Sequence, residues 1–223
     1  MATSGTTSFD LQIDDIVDEA YERCGIGTEA GFDLKKARVS LNILFSEWGN
    51  RGIHLWKVAL QSTTLVAGTT SYLTPTDCGD VLEAVVRDTS GNDVALTKIS
   101  RSQYSAIPNK SDQGSPSQYY VDRQVRPEIY LYQTPDAVTY TSLRYYYVKR
   151  VQDAGAYTNT ADVPYRFLPC MVSGLAYYLS FKYAPTRTEQ LKMYYEDELL
   201  RAIDEDGQRT SLYISPQSYY PNI

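Results

Sequence analysis

The chain has 223 residues, 43% of them apolar and 22% charged, with a formal net charge of −6. That length allows one large domain or two small ones, and the acidic balance argues against gripping nucleic acid by phosphate neutralisation, which takes clustered Lys and Arg. Tyrosine is over-used, at 21 against five Phe and two Trp; its large rigid ring with a polar tip suits half-buried sheets and protein contacts.

MATSGTTSFD opens without a basic start or an apolar run, so no secretory signal is expected there. No run of 18 apolar residues is present to form a membrane span. Cys24, Cys78 and Cys170 are odd in number and widely spaced. They read as reduced thiols of a cytosolic product, not as a disulfide frame or a zinc site.

The first predicted element is a helix: Ile13, Ile16, Val17, Ala20, Tyr21 and Cys24 recur at helical spacing, with Asp14, Asp15, Asp18, Glu19 and Glu22 opposite. Gly25 and Gly27 are its stop signals, and its acidic first half suits the helix dipole. A second helix carries Leu34, Ala37, Leu41, Leu44, Phe45 and Trp48 on one stripe, with Gly49 and Gly52 as its expected end. The two make an αα-hairpin.

From Trp56 the period changes. KVALQSTTLVAGTTSYLTPTD is rich in Thr, Val and Leu and broken by Gly68 and Pro75, which predicts strands. A hairpin is expected from a strand over 81–87, the turn SGND, and a strand over 93–99. A loop follows, with one short helical turn at 101–106. QYYVDR, PEIYLYQ and TSLRYYYVKRV read as three more strands. In the last, Leu143, Tyr145, Tyr147 and either Lys149 or Val151 share one face, and Arg144, Tyr146, Val148 and Arg150 the other. Both faces are amphipathic, as in a sheet with a neighbour on each side.

Helices then return. Asp162 is a candidate N-cap with Pro164 in the first turn, and the regular helix is expected to begin near Pro169. Leu168, Met171, Val172, Leu175, Ala176, Leu179 and Tyr183 form its stripe, and Gly174 permits close packing. Pro185 ends it. Thr186 and Glu189 fit a capping box for a last helix to Asp206, with Leu191, Tyr195, Leu199 and Ala202 or Ile203 inward. Gly207 closes that helix.

This order predicts an α+β fold: a four-helix bundle, two helices from each end of the chain, with an inserted antiparallel β-rich domain and an extended C-terminal tail. The expected divisions are 1–55 and 153–210 for the bundle, 56–152 for the insert and 211–223 for the tail. That tail, SLYISPQSYYPNI, has no charged side chain, three Tyr and two Pro. It is unusually sticky for a terminus. It either docks on a partner or folds back on its own bundle.

Catalytic signatures are missing from the sequence. The one histidine, His54, follows a helix end and reads as a turn residue packed beside Trp48 or Trp56. A nucleophile has no other His to serve as its base. There is no GxGxxG and no GxxxxGK[ST], and no His, Cys or carboxylate spacing for a metal. No cofactor and no enzymatic activity are expected. Asp204, Glu205 and Asp206 read first as a solvated helix face, and second as acidic lining of a pore that keeps DNA from sticking.

Three stretches carry a resemblance: ILFSEWGNRGIHLW at 43–56, ISRSQYSAIPNKSDQGSPSQYYVDRQVRPEIYLYQTPD at 99–136, and GLAYYLSFKYAPTRTEQLKMYYEDELLRAIDEDGQRTS at 174–211. Together the chain resembles the head-to-tail adaptor (connector) proteins of short-tailed bacteriophages, of the tail-tubular-protein-A type. The resemblance implies a homo-oligomeric ring of twelve copies, with the portal protein above and the tail nozzle protein below. DNA would pass through its channel without specific binding. It places the protein in the virion neck, assembled in the host cytoplasm and away from any membrane. It also implies a portal-docking arm formed by the tail, with Leu212, Tyr213, Ile214, Tyr219, Tyr220 and Ile223 as anchors. The competing expectation, from the Tyr-rich strands and scattered carboxylates, is a carbohydrate-binding or depolymerising tail accessory protein.

Overall fold

The structure is a computed structural model that describes residue 5 and residues 9–26, 34–53, 55–156 and 158–207. His54, Gly27 and all the tail residues singled out above lie outside the described residues. The fold is α+β, with five helices and several sheets among the described residues.

Helix α1 (Ile13–Cys24) buries the six residues that its periodicity predicts. Gly25 ends it at φ 78°, and its N–H turns back to the Glu22 carbonyl at 2.8 Å. Helix α2 (Leu34–Asn50) buries Ala37, Leu41, Leu44, Phe45 and Trp48. Gly49 does not stop it, because the α-helical backbone continues to Asn50; the left-handed residue beyond the end is Gly52, at φ 76°.

A 3-10 turn (Leu55–Lys57) leads into the β-region. Its elements are β1 (Val58–Thr64), β2 (Ser71–Leu73), β3 (Cys78–Asp88), β4 (Asp93–Ala95), β5 (Thr97–Lys98), α3 (Arg101–Ala106), β6 (Gln113–Gly114), β7 (Gln118–Asp122), β8 (Glu128–Tyr132), β9 (Thr134–Pro135) and β10 (Tyr140–Lys149). One sheet runs β1-β10-β3-β4 and a second β2-β8-β7-β5. Their inner faces share one apolar core: Val81, Val86, Leu143 and Tyr145 come from the first, Tyr119, Ile129 and Leu131 from the second. The predicted faces of β10 hold, with Leu143, Tyr145 and Tyr147 buried and Tyr146 exposed.

Two expectations need correction here. The second strand of the 81–99 hairpin stops at Ala95. Leu96 is buried in the shared core with its N–H on the Ala84 carbonyl, and Thr97 then bonds the Ser117 carbonyl, so the chain crosses from one sheet to the other. The β-region is also not wholly antiparallel: β5 pairs with β7, and β6 with β9, in parallel.

Helix α4 (Leu168–Tyr183) follows a 3-10 turn (Tyr165–Phe167), and α5 (Thr188–Asp206) follows another (Pro185–Arg187). Asp162 is not the cap of α4. It lies before the 3-10 turn, and its carboxylate pairs with the Lys57 ammonium instead. Thr186 caps nothing either, since Pro185 sets a 3-10 turn that places it ahead of the helix. Ile203 is partly exposed, and Ala202 takes the inward position.

The α1, α2, α4 and α5 helices share a second apolar core, separate from that of the sheets, with Trp48, Phe167, Leu44, Leu175 and Tyr195 fully buried. Helix α4 lies in the middle, against α1, α2 and α5. Gly174 makes that approach possible: a Cβ there would sit 2.8 Å from the Tyr195 ring and 2.9 Å from Leu44. The Trp48 indole N–H donates to the Tyr195 hydroxyl at 3.0 Å, which donates to Glu47 at 2.7 Å.

Candidate functional site

Helix α5 ends in three acidic residues, against the sense of the helix dipole. Their roles differ. The Asp206 side chain is only 6% exposed and is ion-paired with Arg166, whose Nε donates to it at 2.8 Å. The pair ties the end of α5 to the 3-10 turn 165–167. Asp204 and Glu205 face outward. Of the three residues proposed to line a pore, two are therefore on the surface and one is a clamp. Gly207 follows in extended conformation (φ −58°, ψ 135°) and leads toward the tail.

Next to that clamp lies an open apolar groove of about 930 Å³. Its walls are Phe9 and Leu11 ahead of α1, Tyr165 of the 3-10 turn, and Leu168, Pro169 and Val172 of α4. Phe9 and Tyr165 are 67% and 58% exposed, with ring centroids 6.0 Å apart. Phe9 sits at φ 51°, a left-handed conformation that an aromatic residue adopts at a cost. Asp10, Asp15 and Glu19 give it a mainly acidic rim, with Arg23, ion-paired to Glu19 at 3.0 Å, also lining it. A backbone bond fixes the start of α1 here, Ile13 N–H donating to the Asn159 carbonyl at 2.9 Å, and Gln12 N–H closes the helix's own first turn on the Asp15 carboxylate at 3.1 Å. Sequence reasoning missed this groove. The available signal was the apolar pair Phe9 and Leu11 in an otherwise polar start.

The tyrosines of the β-region are mostly accounted for by packing. Tyr104 of α3 stacks on Tyr120 of β7 at 5.5 Å and meets Tyr130 of β8 at 5.7 Å. The Lys110 ammonium lies 5.5 Å from the Tyr104 ring centroid. Hydroxyls of Tyr120 and Tyr130 bond Asp122 and Glu128 of their own strands. The rings of Tyr104, Tyr120 and Tyr130 thus form one mutual cluster.

The outer face of the first sheet is different. Leu60 of β1 lies opposite Tyr146 of β10, and both are partly exposed. Beside them Arg144 pairs with Asp93, which Arg87 also grips at 2.7 Å. Strand β1 is an edge of this sheet, and its sequence VALQSTT has no charge or proline to blunt it. This face has the mixed character of a contact surface.

All three cysteines are buried, and burial pushes the Cys24 thiol up to about 11 and raises those of Cys78 and Cys170. Among the described residues no group of three His, Cys, Asp or Glu is placed to hold a metal. No described helix is long and apolar enough to cross a membrane.

No curated protein matches the chain. Among solved structures, a chain described as the neck of an empty GTA particle, computed with C6 symmetry, is similar at 12% identity. The match covers 82% of this chain and 84% of that one, with a TM-score of 0.29, too low to support any inference. The family model of the SU10 adaptor protein matches residues 9–218, which spans α1, the whole β-region, α5 and the start of the tail. The chain therefore belongs to the SU10 adaptor protein family, and is a structural adaptor of the bacteriophage head-to-tail kind that its sequence resembles.

Proposed function

We propose that this protein forms the ring that joins the portal to the tail nozzle and continues the DNA channel between them. The observation that carries this reading is the family match from residue 9 to residue 218, unbroken across both apolar cores. In this reading the four long helices act as one bundle (residues 1–55 and 153–210), and 56–152 are a domain inserted into it. Subunits associate into a homo-oligomeric ring, of twelve copies by the resemblance, in the neck of the virion after assembly in the host cytoplasm. The tyrosine-bearing outer face of the first sheet and the open edge of β1 suit contact with a neighbouring subunit or the nozzle.

The tail supplies the portal contact, through Leu212, Tyr213, Ile214, Tyr219, Tyr220 and Ile223. Tyrosine anchors lose few rotamers on docking, and Pro216 and Pro221 restrict the chain beforehand, so both lower the ordering cost. Asp204 and Glu205 face the channel in this assembly and repel DNA phosphates, which leaves the passage slippery. The role is structural, without catalysis or cofactor.

Electron microscopy of the protein, alone and mixed with portal rings of the same phage, tests the reading. A second ring stacked coaxially on the portal is the expected result and gives the symmetry. Portal rings left bare by a folded protein would overturn it.

A further inference from the structure

The groove beside the Arg166–Asp206 clamp has no described occupant, and the chain itself supplies a fitting one. Arg166 holds the end of α5 against the turn that contributes Tyr165, a wall of the groove. The chain leaves this point at Gly207. The four residues from Gly207 to Thr210 span at most about 13 Å when extended, and they start from the helix end that Arg166, next in sequence to the groove residue Tyr165, holds. From there SLYISPQSYYPNI offers large apolar side chains and no charge. The groove offers an apolar floor between aromatic walls. Its acidic rim disfavours an acidic peptide. Residues 208–223 contain no acidic side chain, and their one charged side chain is Arg209, which is basic.

We propose that the groove lined by Phe9, Leu11, Tyr165, Leu168 and Val172 is the seat of residues 211–223 of the same chain before the subunit meets its portal. The inference rests on the reading of the tail as a portal-docking arm and adds its resting place. The portal then competes with the groove for the arm. Docking draws the arm out and uncovers an apolar surface on the subunit at the same moment. The exposed Phe9, held in a left-handed conformation, is one wall of that seat.

The test uses full-length protein. Asp10→Cys on the groove rim is combined in turn with Ser211→Cys, Ser215→Cys and Ser218→Cys, and the rate of disulfide formation is followed under mild oxidation. The native thiols are buried and stay out of the reaction. Val125→Cys, 89% exposed in the β-region, replaces Asp10→Cys in the control. At least one tail position should close a disulfide within the monomer ten-fold faster to residue 10 than to residue 125. Adding Phe9→Asp with Tyr165→Asp should abolish that preference while the far-UV circular dichroism stays unchanged. No preference for residue 10, or cross-links that form only between two chains, would overturn the proposal; the second outcome gives the groove to a neighbour's tail.

Portal mixing separates this proposal from the functional reading it rests on. A cross-linked arm should fail to dock on portal rings and should recover on reduction. Tail-dependent docking without any cross-link sinks the groove and leaves the arm. A cross-link that leaves docking untouched sinks the arm and leaves the groove occupied.

Discussion

The two apolar cores of this protein are built in opposite ways. The helical core draws on both ends of the chain, with Trp48 packed on Phe167 and bonded to Tyr195, and with Tyr195 and Leu44 closing over Gly174. The β-region core comes from one continuous stretch and is filled by side chains on alternating strand positions, with Tyr119 and Tyr145 among the bulkiest. They are joined where the β-region starts and ends. Trp56 packs on Phe167 at 4.6 Å, and Lys57, only 7% exposed, is ion-paired with Asp162. These contacts couple two separately packed cores.

The comparison is broken most severely at Trp48. Trp48→Ala removes a fully buried indole and leaves the Tyr195 hydroxyl without its donor. We expect a loss of about 3–5 kcal/mol, read as a lower urea midpoint by circular dichroism at 222 nm. Leu143→Ala strikes the centre of the β core instead, and should cost about 2–4 kcal/mol. Both tryptophans belong to the helical side, so their fluorescence reports on that side alone. If the cores unfold as one, Leu143→Ala shifts the fluorescence and strand-signal midpoints together; if they are independent, only the strand signal moves.

Asp162→Asn tests the joint between them. It leaves a buried ammonium without its counter-charge, at a cost of about 2–3 kcal/mol. Where the parent's helical and strand transitions coincide, the expected signature of the variant is their separation. The smallest effect is at the surface. Arg51 donates to both carboxylate oxygens of Glu196 at 2.8 Å and holds its carboxyl below the ordinary value of 4.5. A carboxyl lowered on folding stabilises above its unfolded pKa, and that contribution is lost as pH falls through the folded value. Glu196→Gln should therefore lower stability at pH 7 by under about 1 kcal/mol, screening included. Variant and parent should converge in chemical denaturation as pH falls through that lowered value.

What could be read from the sequence follows the same division. The stripes of α1, α2, α4 and α5 are local, since residues three and four apart share a face whatever lies opposite, and Gly174 marks close packing without naming its neighbours. Strand pairing is not local. Alternation finds β10 and its faces, but nothing near it says that β1 and β3 flank it or that Leu96 carries the chain between sheets. Asp162 and Thr186 mislead because capping residues look the same when an ion pair or a 3-10 turn claims them. The groove is invisible for a plainer reason: its walls, at Phe9 and Tyr165, lie more than 150 residues apart.

The central position of α4 has a consequence for biosynthesis. Helices α1 and α2 leave the ribosome with their apolar stripes ready, but the helix they pack against begins only at Leu168, more than a hundred residues later. At typical elongation rates this leaves those stripes without their partner for roughly 6–24 s. The β-region becomes available in full during that interval and can close its own core. Production of this adaptor should therefore respond to chaperone supply through its first fifty residues rather than through its sheets.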